Sequence, residues 1–502
     1  MRSKPAIIVS AAVSAAALVA GTAALGVFGM PAGMVDPASG GGTAVTQVEQ
    51  TLLESYCAPR MALADTESYG DQQFAASTGD LASSGRYAAF GSFYASRLDT
   101  LDSLPEQSLP TASADGASAL AYDQGAADDG KGMLLSTALL KADEGSGAAG
   151  ATASWATEGD LRGLSAAPCV EPAMEQSFLI GSTVTGSSQQ LLVANPSDKP
   201  TVISLTAWGT SQSGQMQLAT NSQMTVQANS TMVVSLSSAL PKQDAAYVTV
   251  TSEVTPVAAL VRHTAADGLT PMGSEYVSAV APEATASALA GVAKDDDVTV
   301  RLFAGKATGV TLSWMNAKGS KEAKKVDLPA GRVVSVPLGK APSDAQAVLV
   351  DAGEAVTAAL SADRAGEDGQ HDFAVVQAAV PSRRSATAIP EGMRASVVVA
   401  NAGDGTMSAT LDCFDAKGAV VASKDVTVKA GSAVAFATGD LPEGTAAVRL
   451  DDDGAGLSWS VRLTSSTLDD AGVAGVAVLT PTSLQPRTVD VDSSSSRFVT
   501  AR

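Results

Sequence analysis

Histidine is nearly absent from this chain: 502 residues carry two, His263 and His371. Two imidazoles exclude a multi-histidine metal site and leave a histidine-dependent catalytic group little to work with. Aromatic residues make up 4% of the sequence. So few rings cannot floor a glycan cleft, which weakens any reading of the scattered Asp and Glu pairs as a glycosidase dyad. The hydrophobic share is 45% and leans on Ala and Val. Small side chains bury little area, at roughly 25 cal/mol per Å², so thin modules of modest stability are expected. Basic side chains are outnumbered 32 to 52, for a net charge of −20. That balance repels nucleic acid and anionic head groups, and its plain reading is solubility. Neither GxGxxG, a P-loop, GxSxG nor HExxH occurs. Asp295-Asp296-Asp297 and Asp451-Asp452-Asp453-Gly454 lack EF-hand spacing and read as solvated turns. No catalytic, cofactor-binding or metal-binding residue is nominated. The expectation is a protein without enzymatic activity and without a cofactor.

What the sequence does contain is a repeat. Val280-Ala281-Pro282, Ala379-Val380-Pro381 and Leu479-Thr480-Pro481 close three copies at a pitch of about 100 residues. Asn316-Ala317-Lys318-Gly319 and Asp415-Ala416-Lys417-Gly418 mark one turn in copies two and three. Apolar runs recur in each copy: Leu191–Asn195 and Val202–Trp208, Val298–Phe303 and Val310–Trp314, Ser396–Asn401 and Ala409–Phe414. Where Val426 and Val428 alternate with Asp425, Thr427 and Lys429, the period of two predicts a half-buried antiparallel strand. Ala228-Asn229-Ser230, Ala330-Gly331-Arg332 and Ala430-Gly431-Ser432 follow at matching places. Asn and Gly tolerate positive φ, so one shared turn conformation is predicted. Three further strands per copy are predicted: Tyr247–Thr251, Val257–Arg262 and Val277–Val280, with counterparts at Ala347–Val350, Val356–Leu360 and Phe373–Val380, and at Ala446–Leu450, Leu457–Leu463 and Val473–Leu479. About seven short strands per copy fit an immunoglobulin-like sandwich, with a jelly roll or open barrel as the alternative. Glu283–Asp297 reads as a short connector between abutting modules. The two histidines read as loop residues near strand ends.

Arg2 and Lys4 precede a stretch free of charge until Asp36. A basic start and a long apolar run are an export signal. The length suffices to cross a hydrocarbon core of ~30 Å, which favours an uncleaved anchor with everything after Asp36 outside. The small residues from Ala15 to Ala24 keep signal cleavage, and hence a secreted protein, as the alternative. Of three cysteines, Cys57 and Cys169 bracket one segment, while Cys413 sits inside a predicted strand. A Cys57–Cys169 bridge is the preferred pairing, with Cys413 packed as a small apolar side chain; three free thiols are the alternative. Residues 63 to 168 between them are weakly patterned, with apolar islands at Tyr87–Tyr94 and Met133–Leu140. They read as strands of a loosely patterned β domain whose ends the disulfide ties together, with partial disorder, above all over Gly145–Gly150, as the alternative.

Asp160–Cys169, Leu192–Pro200 followed by Val202–Trp208, and the repeated Gly turn together resemble the actinobacterial large secreted proteins of unknown function. The resemblance implies a membrane segment, two cysteines flanking a variable region, then β modules in a Gram-positive envelope. It supports the Cys57–Cys169 pairing and implies no catalytic residue.

The expected layout is an anchor or signal over 1–35, a linker over 36–45, and a disulfide-tied β domain over 46–175. Three β-sandwich modules follow at 176–285, 286–385 and 386–485, and a polar tail at 486–502. The fold class is all-β, with one N-terminal transmembrane or signal helix. The function expected is that of a single-pass, extracytoplasmic cell-envelope scaffold or interaction module, its modules set in a row for reach. Its partners would be envelope proteins or cell-wall glycopolymers and not nucleic acid. A secreted adhesin or glycopolymer-binding protein is the alternative, and a carboxylate-dependent hydrolase a more distant one.

Overall fold

The structure, a computed structural model, describes residues 44–64, 76–101, 107–109, 111–112, 120–125 and 131–493. The predicted membrane segment, residues 1–35, lies outside them. Among the described residues no helix is long and apolar enough to cross a membrane, and the architecture is nearly all β. Two units emerge. In the smaller one, β1 (Ala44–Glu49) pairs antiparallel with Thr488–Ser493, so part of the predicted polar tail supplies a strand. The larger unit is residues 50–487.

The larger unit begins with β2 (Leu52–Cys57), β3 (Ala82–Phe90), β4 (Phe93–Thr100), β5 (Gln107–Ser108), β6 (Thr111–Ala112), β7 (Leu120–Gly125), β8 (Met133–Leu139), β9 (Gly147–Ala156) and β10 (Gly163–Pro168). They form two sheets, β2-β8-β4-β5 and β10-β9-β3-β7-β6. Cys57, at the end of β2, is bonded to Cys169, which follows β10, and so ties one sheet to the other. The disorder held as the alternative over Gly145–Gly150 is not what the chain does. Gly147 opens β9, which pairs with both β3 and β10 and is buried along nearly its whole length. Gly and Ala on both faces erase the period-two signal while allowing close packing on each side.

Copy one comprises β11 (Glu175–Ile180), β12 (Ser187–Asn195), β13 (Thr201–Gly209), β14 (Gln223–Val226), β15 (Ser230–Ser235), β16 (Ala246–Ser252), β17 (Ala258–Asp267) and β18 (Thr270–Val277). Its sheets are β11-β16-β13-β14 and β15-β12-β17-β18. In β13 Ile203, Leu205 and Ala207 are buried and alternate with partly exposed residues, as the pattern predicts. Copy two comprises β19 (Ala284–Ala290), β20 (Asp297–Phe303), β21 (Thr308–Asn316), β22 (Gly319–Leu328), β23 (Val334–Lys340), β24 (Ala347–Ala365) and β25 (His371–Gln377). Here one 19-residue strand replaces two: β24 pairs with β19 and β21 along its first part and with β20 and β25 along its last. Copy three comprises β26 (Arg384–Ala388), β27 (Arg394–Asn401), β28 (Met407–Asp415), β29 (Val420–Val428), β30 (Ser432–Phe436), β31 (Thr445–Asp452), β32 (Leu457–Thr464) and β33 (Ala477–Leu479). Its sheets run β29-β28-β31-β26 and β30-β27-β32-β33, and β34 (Thr482–Ser483) extends the first beyond β26.

Strand order therefore repeats, with the first strand of each copy beside the sixth and the second beside the seventh, the two parts of β24 standing for sixth and seventh in copy two. In an immunoglobulin constant domain the first strand lies beside the second, so the likeness stops at paired antiparallel sheets. Other differences are local. The segment Glu283–Asp297, expected to be a connector, contains β19. The strand expected at Val277–Val280 is β18 and ends at Val277. Of Val473–Leu479 only the last three residues are strand. The predicted turn is present in all three copies, with φ of 48° at Asn229, 63° at Gly331 and 61° at Gly431. Asn316 and Asp415 each accept a bond from the backbone two residues on, at 2.8 Å. Asn195 and Asn401 play one part in copies one and three, donating to Lys199 O and Gly405 O at 2.8 and 2.7 Å.

The row of modules closes on itself. Tyr276 of copy one donates to Pro59 O at 3.1 Å. Trp208 and Tyr247 pack on Phe303 of copy two, at centroid separations of 5.4 and 4.3 Å. Arg462 of copy three bonds Asp296 of copy two at 2.8 Å, both fully or nearly fully buried. Phe414 of copy three meets Phe90 of β3 at 5.6 Å, and Leu484 is buried with them. The circuit thus returns to the N-terminal part.

Candidate binding cavity

Four parts make this circuit, and the last strand of each, β10, β18, β25 and β33, gathers at one place. Each continues into a proline-bearing segment: Pro168–Pro172, Ser278–Pro282, Ala378–Ser382 and Thr480–Ser483. All four segments line one cavity of about 560 Å³, a volume that suits a small ligand or a peptide segment. The triplets that announce the repeat in the sequence therefore meet in space. Extended geometry before proline keeps these segments from curling into turns. Backbone bonds hold them: Ala281 donates to Ala378 O and Val280 to Ser177 O, each at 2.8 Å. Cys169 and its disulfide form part of the wall, and Trp459 lines it while donating to Ser385 Oγ at 2.8 Å. Hydroxyls from Ser278, Ser382, Ser458, Thr480 and Thr482 supply rotatable donors and acceptors. The charged side chains of the lining are Glu171 and Arg487, which pair with each other. Burial pushes the Glu171 carboxyl up, and Arg487 partly offsets it. A neighbouring hollow of about 460 Å³ shares Ala281, Pro282 and Ala378–Pro381 with the first.

Deeper among the same four strands lie two carboxyls that are 0% exposed, Glu275 of β18 and Asp372 of β25. Glu275 Oε1 accepts from the Ala166 and Tyr276 amides at 2.9 Å. Asp372 Oδ2 accepts from the Leu164 and Val476 amides at 2.9 Å. The Val478 amide also bonds Glu275, and the Phe373 and Ser274 amides also bond Asp372. Burial pushes both carboxyls well above the usual range, and the Asp372 charge adds to the effect on Glu275. Sequence reasoning missed this pair. The available signal was one acidic residue inside an otherwise apolar or small-residue strand in each of two copies, Ser274-Glu275-Tyr276 and His371-Asp372-Phe373.

The nominated cysteines behave as expected: Cys57 and Cys169 are bonded, and Cys413 is free and buried, its thiol pushed up by desolvation. The histidines do not sit in loops. His263 lies inside β17, buried against Phe373 with Ser187 Oγ 2.9 Å from Nε2. Burial, and secondarily Arg301, lowers its pKa to about 3, so it is neutral at ordinary pH. His371 begins β25 and bonds Asp363 at 2.6 Å. Of the acidic runs, the middle residues are not solvated. Asp296 is buried on Arg462, and Asp452 accepts from the amides of Gly454, Gly456 and Leu457 at 2.8–2.9 Å. Among the described residues no group of three or more His, Cys, Asp or Glu could hold a metal ion.

A family of unknown function, DUF5719, matches residues 125–439. The chain belongs to this family. The matched region runs from the end of β7 through copies one and two and the first five strands of copy three. It takes in three of the four cavity segments and both buried carboxyls. Neither a curated protein nor a solved structure matches the chain.

Proposed function

We propose that this DUF5719 member is a non-catalytic, membrane-anchored envelope protein displayed outside the cell, acting by contact through the proline-lined cavity. Its three sheet pairs are read as copies of one sandwich module, arisen by duplication and arranged to place four equivalent segments around a shared opening. The observation that carries this reading is the lining itself: hydroxyls, prolines and backbone, with its two charged groups already paired. Such a surface recognises a neutral extended partner, an envelope protein segment or a glycopolymer, and offers nothing to nucleic acid. Anchoring rests on the uncharged run between Lys4 and Asp36.

The test compares capture from intact envelopes by the extracellular part and by Ser382→Trp, which fills the cavity. A partner retained by the first and lost by the second supports the reading, whereas identical capture by both removes the cavity from it. Mass spectrometry of the mature N-terminus decides the anchor: a chain beginning after Ala24 means release into the medium.

A further inference from the structure

Arg301 of β20 takes no part in the proposed contact site, and it differs from the other sheltered arginines of the chain. Arg462 bonds Asp296 and Arg449 bonds Asp412, each at 2.8 Å. Arg301 has neither a hydrogen bond nor an ion pair among the described residues, and its Nη1 is shut off from solvent. The sequence holds 52 acidic side chains, yet the positions around this one are neutral. Ser335 of β23 and Ala359 of β24 flank it in register, and Gln377 of β25 comes next in the same row.

Copy one supplies the opposite wall. Gln189 of β12 and His263 of β17 stand opposite each other in register. The side of Gly181 on which a side chain would stand faces both of them and the arginine. A Cβ there would lie 3.3 Å from Arg301 Nη2, 3.4 Å from Gln189 Nε2 and 3.2 Å from His263 Cε1, with nothing nearer. All three atoms carry hydrogens of positive partial charge. Gln189 is 0% exposed and gives one amide hydrogen to Ser182 O at 3.2 Å, which leaves its second. The His263 ring is packed on Phe373, with Ser187 Oγ beside Nε2.

We propose that this seam between copies one and two is a binding site for one small monovalent anion, chloride by charge, held beside Gly181 by the Arg301 guanidinium and the Gln189 amide. A guanidinium does not shed its proton to escape burial; even lowered to about 10, the Arg301 pKa leaves it charged at ordinary pH. A sheltered cation without a counter-charge is costly, and an anion removes that cost while gaining charge-assisted hydrogen bonds. One guanidinium among neutral donors matches a single negative charge. Because its donors come from two copies, the ion would tie copy one to copy two.

The test is urea denaturation of the full chain in sodium chloride and in sodium gluconate of equal ionic strength. The wild type should be more stable in chloride. Above the dissociation constant, each tenfold rise in chloride should raise the folded-to-unfolded ratio about tenfold. In Arg301→Gln, and in Gly181→Ala, whose methyl would stand among the three donors, the chloride-specific part should vanish. Equal midpoints in the two salts overturn the proposal. So does a chloride effect that persists unchanged in both variants, since it then arises elsewhere on the protein. Because either variant can misfold, the wild type is also crystallised from bromide. An anomalous peak in contact with Arg301 and Gln189 supports the site, whereas water alone at Arg301 overturns it.

Discussion

The N-terminal part and copy one of the 50–487 unit answer one problem in opposite ways. Copy one fills its sandwich chiefly with its own Phe178, Ile180, Leu191, Ile203 and Leu205, all buried, borrows only Phe373 and Val375 of β25, and has no crosslink. The N-terminal part builds β9 and β10 from Gly and Ala, joins its sheets covalently through Cys57–Cys169, and lays Ala151, Ala153, Leu164 and Ala166 into the cluster of copy three. Side-chain volume decides which strategy is open. Small residues bury too little area to order their own backbone, so the deficit is met by a covalent tie and a borrowed core.

The largest effect that would break this comparison comes from the disulfide. Reduction, or Cys57→Ala with Cys169→Ala, should cost up to about 4.7 kcal/mol, since the bridge closes a loop of more than 100 residues. In urea the N-terminal part should unfold first, ahead of copy one. Simultaneous loss of both would erase the distinction. Next, Leu411→Ala and Leu205→Ala should each cost about 2–5 kcal/mol. Hydrogen exchange should place the first deficit in copy three and in β9 and β10 together, because the cluster is shared, and the second in copy one and β25.

Acid sharpens the contrast further. His263 has a depressed folded pKa, so the stability it contributes is present above about 6.5 and is lost as pH falls towards about 3. Copy one should weaken by up to about 1.4 kcal/mol per pH unit in that window. An NMR titration should find the His263 ring unprotonated in the folded protein at pH 5. The smallest effect is at the repeated turn. Gly431→Ala places a side chain at φ of 61° and should cost about 1 kcal/mol, read as a shift of the denaturation midpoint. Asn229→Gly, at the same turn in copy one, should change stability by no more than a few tenths of a kcal/mol.

The same contrast sets what could be read in the sequence. β13, β16 and β29 announce themselves because Val, Ile and Leu alternate with polar residues. Gly331 and Gly431 announce the turn because few other residues accept it. β9, β19 (Ala-Thr-Ala-Ser-Ala-Leu-Ala) and β26 were illegible: small residues suit either face and leave no period. The disulfide was legible from the bracketing of the two cysteines, whereas the closure of the circuit was not. That closure depends on contacts such as Phe90 with Phe414, separated by hundreds of residues. For the cavity, the Pro triplets were visible as punctuation, yet nothing local says that they converge. The buried carboxyls look like any acidic residue until the strands on all sides are in place.

One detail of the circuit bears on how the molecule comes into being. Gln50 donates to Arg487 O at 2.8 Å, and Leu484 supplies the cover for Phe90 and Ala149. During synthesis the earliest of these strands must wait, unsatisfied, until partners hundreds of residues later have emerged. Assembly is thereby governed by the slowest, most distant pairings, with unpaired strand edges at risk of sticking to neighbours in the interval. A nascent chain stopped short of Leu484 is an early portion without its lid.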